Sequence, residues 1–129
     1  MYQYHIVAEH NLIVLKLSGV VHWEDIGRYF GELVENSDYH RELKGVCDLR
    51  GADLQFSPEE SKQLARISRE QQLTTGRWAF ITDTPSGTAL AIIYGREIGD
   101  FHTSKFFTTI AAASEFLSID LTPYLEPDN

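Results

Sequence analysis

A single cysteine, Cys47, occurs in the 129 residues of the chain. No disulfide can close within it, and a thiolate metal cluster is excluded. Cys47 lies in an apolar stretch, where cysteine is usually a small buried hydrophobe. Positive charge is also scarce: 11 Lys and Arg stand against 19 Asp and Glu, a net charge of −8. Nucleic acid and anionic membrane both repel such a surface, so no nucleic-acid partner is expected. Long hydrophobic runs are missing. The longest, Ala89 to Tyr94, falls far short of the roughly 20 residues that span a bilayer, so no integral membrane segment is expected. The opening Met1-Tyr2-Gln3-Tyr4-His5 has neither the basic region nor the apolar core of a secretory leader, which makes the cytoplasm the expected compartment.

Motifs of known chemistry are equally sparse. There is no Gly-x-x-x-x-Gly-Lys-Ser/Thr phosphate loop and no Gly-x-Ser-x-Gly nucleophile elbow. His5, His10, His22, His40 and His102 are scattered, without paired spacing on one face. Surface histidines are expected, with no metal, no cofactor and no catalytic residue. The acidic neighbours Glu24/Asp25 and Glu59/Glu60 suit helix starts better than a convergent catalytic pair.

What is present is a regular alternation of elements. Residues 4–8 and 12–18 read as a β-hairpin, with Asn11 able to take the turn's positive φ. His22 to Glu35 carries a helical stripe of Trp23, Ile26, Phe30, Leu33 and Val34, near which Gly27 and Gly31 would allow close approach to a sheet. Gly45 to Leu49 is a buried-type strand. Pro58 to about Leu73 is a second helix, with Leu64, Ala65 and Ile67 facing inward and Gly76 as its C-terminal cap. Arg77 to Thr82 is a strand, Pro85 to about Glu97 a helix, Ser104 to Thr109 a strand and Ile110 to Leu117 a helix. The order β-β-α-β-α-β-α-β-α predicts an α/β fold with a mixed, mostly parallel sheet of about five strands packed with about four helices. One domain, residues 1–121, is expected, with a loose tail over 122–129.

Three stretches then resemble a known family: "LIVLKLSGVVHWEDI", "GVCDLRGADLQFSPEESKQLARISR" and "GRWAFITDTPSGTALAIIYG", followed by a closing "KFFTTIAAASEFL". The pattern is similar to the STAS fold of anti-sigma-factor antagonists, the SpoIIAA-like class. It is closer still to small bacterial proteins known only as SpoIIAA-like or STAS/SEC14-like. In the antagonists a strand ending in Asp-Leu leads through a loop to an Asp-Ser pair, whose serine is phosphorylated by a partner kinase. Asp48-Leu49 matches the strand end, and Ser57 falls at the serine. Phe56 stands where the family has Asp, and Pro58-Glu59-Glu60 follow in place of small residues. The resemblance implies the fold and, for Ser57, a vestigial or modified serine switch.

Ser57-Pro58-Glu59-Glu60 also reads as a capping box, with Ser57 at the N-cap and Glu60 at N3. The cap needs nothing further; the switch adds a phosphate, welcomed by a helix N-terminus but repelled by the two glutamates. The "TDTPSG" turn joins a strand to a helix. With Asp48, Arg50 and Asp53 it forms a candidate rim for a ligand or partner, the turn contributing Thr84, Ser86 and Gly87. Open α/β sheets bind at the carboxyl ends of their parallel strands. Arg50 is the rim's candidate anion site. The third helix is apolar nearly all round, so Leu90, Ile93 and Tyr94 are a candidate surface for a protein partner or a second copy. The alternative is a helix wedged between sheet and neighbours.

These residues point first to a non-enzymatic regulatory or interaction module. The second reading is a binder of a small apolar or lipid-like ligand, which the SEC14 resemblance implies and which a cavity lined by Ile92, Phe80 and Phe30 would favour.

Overall fold

The computed structural model describes residues 1–128. Its first two strands, β1 (Tyr2–Val7) and β2 (Leu12–Leu17), form the expected antiparallel hairpin. Asn11 closes it at φ 51°, a left-handed conformation that asparagine tolerates. The sheet then grows by parallel pairing through β4 (Lys44–Asp48), β6 (Trp78–Ile81) and β7 (Ser104–Phe107), in the order β1-β2-β4-β6-β7. Helix α1 (Trp23–Glu35) follows the hairpin, α2 (Pro58–Glu70) and α3 (Pro85–Ile98) link the parallel strands, and α4 (Ile110–Leu117) closes the order.

Strand alternation splits the core in two. Ile13, Leu15, Leu17, Cys47 and Trp78 turn to one face, beneath α1, α2 and α3. Leu12, Val14, Val46, Ala79 and Ile81 turn to the other, against α4 and the C-terminal segment. Period-two side-chain direction requires this once both faces are covered.

Several expectations are corrected. Gly19–Val21 and Ala52–Leu54, read as connecting segments, pair in parallel as β3 and β5, a second two-stranded sheet. Each is too short to show an apolar period. Gly27 and Gly31 point away from the sheet, and a Cβ at either would meet nothing. Val34 is exposed, and Tyr29 takes the buried place on α1. Gly76 does not cap α2: the left-handed residue there is Gln72, at φ 51°. Gly76 is instead needed for close approach, since a Cβ would strike the Leu43 backbone. Gly45 is required in the same way by the Trp78 ring lying across it.

Of the segment 122–129, expected to be loose, residue 129 lies outside the described residues, and residues 122–128 are anchored on the fold at two points. Leu121 and Leu125 are buried in the second core. The Asp128 carboxylate accepts from the Ile110 N–H at the start of α4 (3.1 Å) and from Arg50 Nη1 (2.8 Å).

His102, expected at the surface, is buried just before β7 beside Tyr94, Trp78 and Phe101. Its Nδ1–H donates to the Thr74 carbonyl (3.1 Å), and its Nε2 has no protein partner. Burial pushes its pKa below the ordinary 6.5, with the Thr74 contact opposing in part. A buried neutral imidazole must charge in a poor environment, so the unfolded chain binds this proton more readily than the folded one. The contribution is present above pH 6.5 and is lost as pH falls from there through the lower folded value. The urea midpoint should therefore drop between pH 7 and pH 5 by more in wild type than in His102→Gln; equal slopes would show that His102 does not carry the effect.

Candidate functional site

Parallel pairing fixes where the loops go. Asp48 pairs with Ile81, and Ile81 with Phe107, so β4, β6 and β7 end level with one another along one margin. The N-termini of α2, α3 and α4 start from that margin. Each is capped by a hydroxyl that accepts a backbone N–H: Ser57 from Glu60 (3.1 Å), Thr84 from Gly87 (3.1 Å) and Thr109 from Ala112 (3.2 Å). At α2 the box is complete, because the Glu60 carboxylate accepts from the Ser57 N–H at 2.8 Å. Ser57 is exposed.

The rim thus gathers most of its expected members: Asp48 accepts the loop N–H of Arg50 at 3.0 Å, and it is the Arg50 side chain whose role differs. Asp48 is buried and takes the Arg50 guanidinium on both carboxylate oxygens, at 2.9 and 3.0 Å. Arg50 also donates to Asp128 (2.8 Å) and to the Glu126 carbonyl (2.8 Å). Its hydrogen bonds to Asp48 hold the guanidinium's pKa above the usual arginine value. The cation assigned to an incoming anion is therefore engaged by the chain's own carboxylates. A bidentate pair of this kind fixes geometry and leaves few donors free. Asp53 is exposed on β5 and accepts from Gln55 Nε2 (2.8 Å). Ser86 is exposed, 3.5 Å from the Thr84 hydroxyl, and Gly87 is buried beneath it. Thr84 also borders a shallow depression with Thr82, Asp83, Thr88, Ile92 and Thr108. Among the described residues, no group of three or more His, Cys, Asp and Glu is placed to hold a metal.

Leu90, Ile93 and Tyr94, the surface expected on α3, are each partly buried. Leu90 and Tyr94 turn inward toward α2 and the sheet, and the Leu90 carbonyl accepts the Ser61 hydroxyl (3.1 Å). Ile93 is half-buried. The wedged-helix alternative describes this arrangement.

Between α1, α2, α3 and the sheet lies a cavity of about 80 Å³. Leu15, Cys47, Trp78 and Phe80 form its floor, Tyr29, Phe30 and Leu33 one wall, and Leu64, Leu90 and Tyr94 another. Leu54 and Phe56, from the segment leading to Ser57, close it toward the rim. Phe30 and Phe80 line it as expected; Ile92 does not, facing the shallow depression instead. Its walls are almost wholly apolar. Burial raises the Cys47 thiol pKa far above the ordinary value, so no reactive thiolate forms there.

With the fold in view, comparison with solved structures finds the anti-sigma factor antagonist SpoIIAA in its unphosphorylated form. The match has a TM-score of 0.54 and 11% identity, over 92% of this chain and 98% of that one. The chain has the SpoIIAA fold. No family model matches it, and neither does any curated protein. At this identity the SpoIIAA likeness establishes the arrangement of strands and helices alone. Among the described residues, no helix is long and apolar enough to cross a membrane.

Tyr29 was missed as a site residue, although its spacing signalled an inward position: it follows Ile26 by three and precedes Leu33 by four. The cavity itself had no local signal, since it depends on how three helices meet. The Ser57 cap is directly testable. Ser57→Ala should lower stability by about 1 kcal/mol, read as a urea midpoint shift at unchanged slope; no shift would mean that the box does not hold α2.

Proposed function

We propose that this protein binds a small apolar ligand in the cavity between its helices and sheet, without catalysing a reaction. The observation that carries this reading is the apolar cavity of about 80 Å³ in an otherwise interdigitated core. Protein interiors hold few voids larger than a water molecule. Leaving one of this size costs about 2 kcal/mol at roughly 24 cal/mol per Å³. An engineered apolar cavity of roughly 150 Å³ stays dry and takes benzene or xenon. A cavity about half as large suits a compact molecule or the end of a longer chain, with Leu54 and Phe56 on the way in.

A second reading is favoured by the exposure of Ser57 at the rim of a SpoIIAA fold. On that reading the rim meets a protein partner, and a phosphate on Ser57 governs the contact. Glu59 and Glu60 disfavour the phosphate, and Arg50 is already engaged. Intact-mass analysis of protein from its native host should show a phosphorylated fraction under some growth condition; its absence under all of them removes the switch.

Xenon tests the first reading. Xenon pressure should shift the methyl resonances of Leu15 and Leu64 and raise Tm. Ala91→Leu, which projects extra carbons into the cavity from α3, should abolish the shifts and stabilise the empty protein by about 1 kcal/mol. Unchanged resonances in wild type would remove the cavity as a binding site.

A further inference from the structure

Among the described residues, one buried side-chain oxygen that belongs to the cavity lining has no hydrogen-bond partner. Ser61 donates to the Leu90 carbonyl at 3.1 Å, Thr74 accepts from Trp78 Nε1 at 2.7 Å, and Tyr94 lies against Ser68. The Tyr29 hydroxyl is fully buried, with no protein group in hydrogen-bonding reach. Tyr29 itself lines the cavity; the groups around its hydroxyl are Cys47 and Tyr94, which line it too, and Tyr4 and Tyr39, which do not, and burial raises its pKa well above the ordinary value. It is therefore a neutral O–H, able to donate one hydrogen bond. A buried hydroxyl left unpaired costs stability. Phenylalanine would fill the same space without that cost.

Building on the cavity reading, we propose that the Tyr29 hydroxyl is the polar anchor of the site. It selects compact apolar molecules that carry one hydrogen-bond-accepting oxygen, such as an ether or a ketone on a hydrocarbon frame. Such a molecule meets apolar walls on all other sides, so the hydroxyl fixes its orientation as well as its class.

Two five-membered rings of similar shape, tetrahydrofuran and cyclopentane, differ by one ether oxygen. Each would be titrated into wild type and Tyr29→Phe, with the Leu15 and Leu64 methyl resonances as readout. The ratio of the two affinities should shift by about fivefold against tetrahydrofuran in Tyr29→Phe, the range of one ordinary net hydrogen bond. Loss of the unpaired hydroxyl should also raise the variant's Tm by about 3–5 °C. An unchanged ratio with both rings binding overturns the anchor and leaves the cavity reading intact. Failure of both rings to bind wild type overturns the cavity reading and the anchor together. A fall in Tm would mark Tyr29 as making a structural bond and overturns the anchor.

Discussion

Parallel pairing of β2, β4 and β6 is the constraint on which the rest of the structure depends. It brings β4 and β6 to an end beside each other and starts α2 and α3 from the same margin. It also fixes side-chain parity. Leu15, Cys47 and Phe80 lie on neighbouring strands and floor the cavity because the register sets them side by side. A shift of one residue would carry all three to the opposite face. Gly45 belongs to the same constraint, since only the absence of a side chain lets the Trp78 indole lie across β4.

The two faces of the sheet have different work. The face under α4 is filled by small and branched side chains and sealed by the C-terminal segment. The face under α1, α2 and α3 carries most of the aromatic rings. Tyr29 meets Tyr2 and Tyr4 edge-on, and Phe80 meets Tyr94 in the same way. Edge-to-face pairs hold rings at fixed angles. Of these rings, Tyr29, Phe80 and Tyr94 border the cavity.

The hairpin, the parallel strands and all four helices were legible in the sequence because each carries its own period or cap. Asn11 marked the first turn and Ser57 the start of α2. Features that depend on meetings between distant residues were not legible. The three-residue strands β3 and β5 owe their existence to each other. The role of Gly45 depends on Trp78, and that of Gly76 on Leu43. Arg50 read as an anion site although its bidentate partner, Asp48, stands two residues away; its second carboxylate, Asp128, 78 residues away, had no signal in the sequence. The prolines after residue 121 suggested a loose end, yet Leu125 and Asp128 find an apolar pocket and a helix N-terminus in the fold. At the candidate site, the Ser57 cap was legible and the Thr109 cap was not, and of the cavity's lining only Phe30 and Phe80 were anticipated.

Trp78 has a position with a practical consequence. Its indole forms part of the cavity floor, donates to a buried threonine and is shielded from water, whereas Trp23 is half-buried. One of the protein's two indole rings thus borders the cavity directly. Its emission colour and its accessibility to quenchers would make the molecule its own optical gauge of anything bound there, with no dye attached.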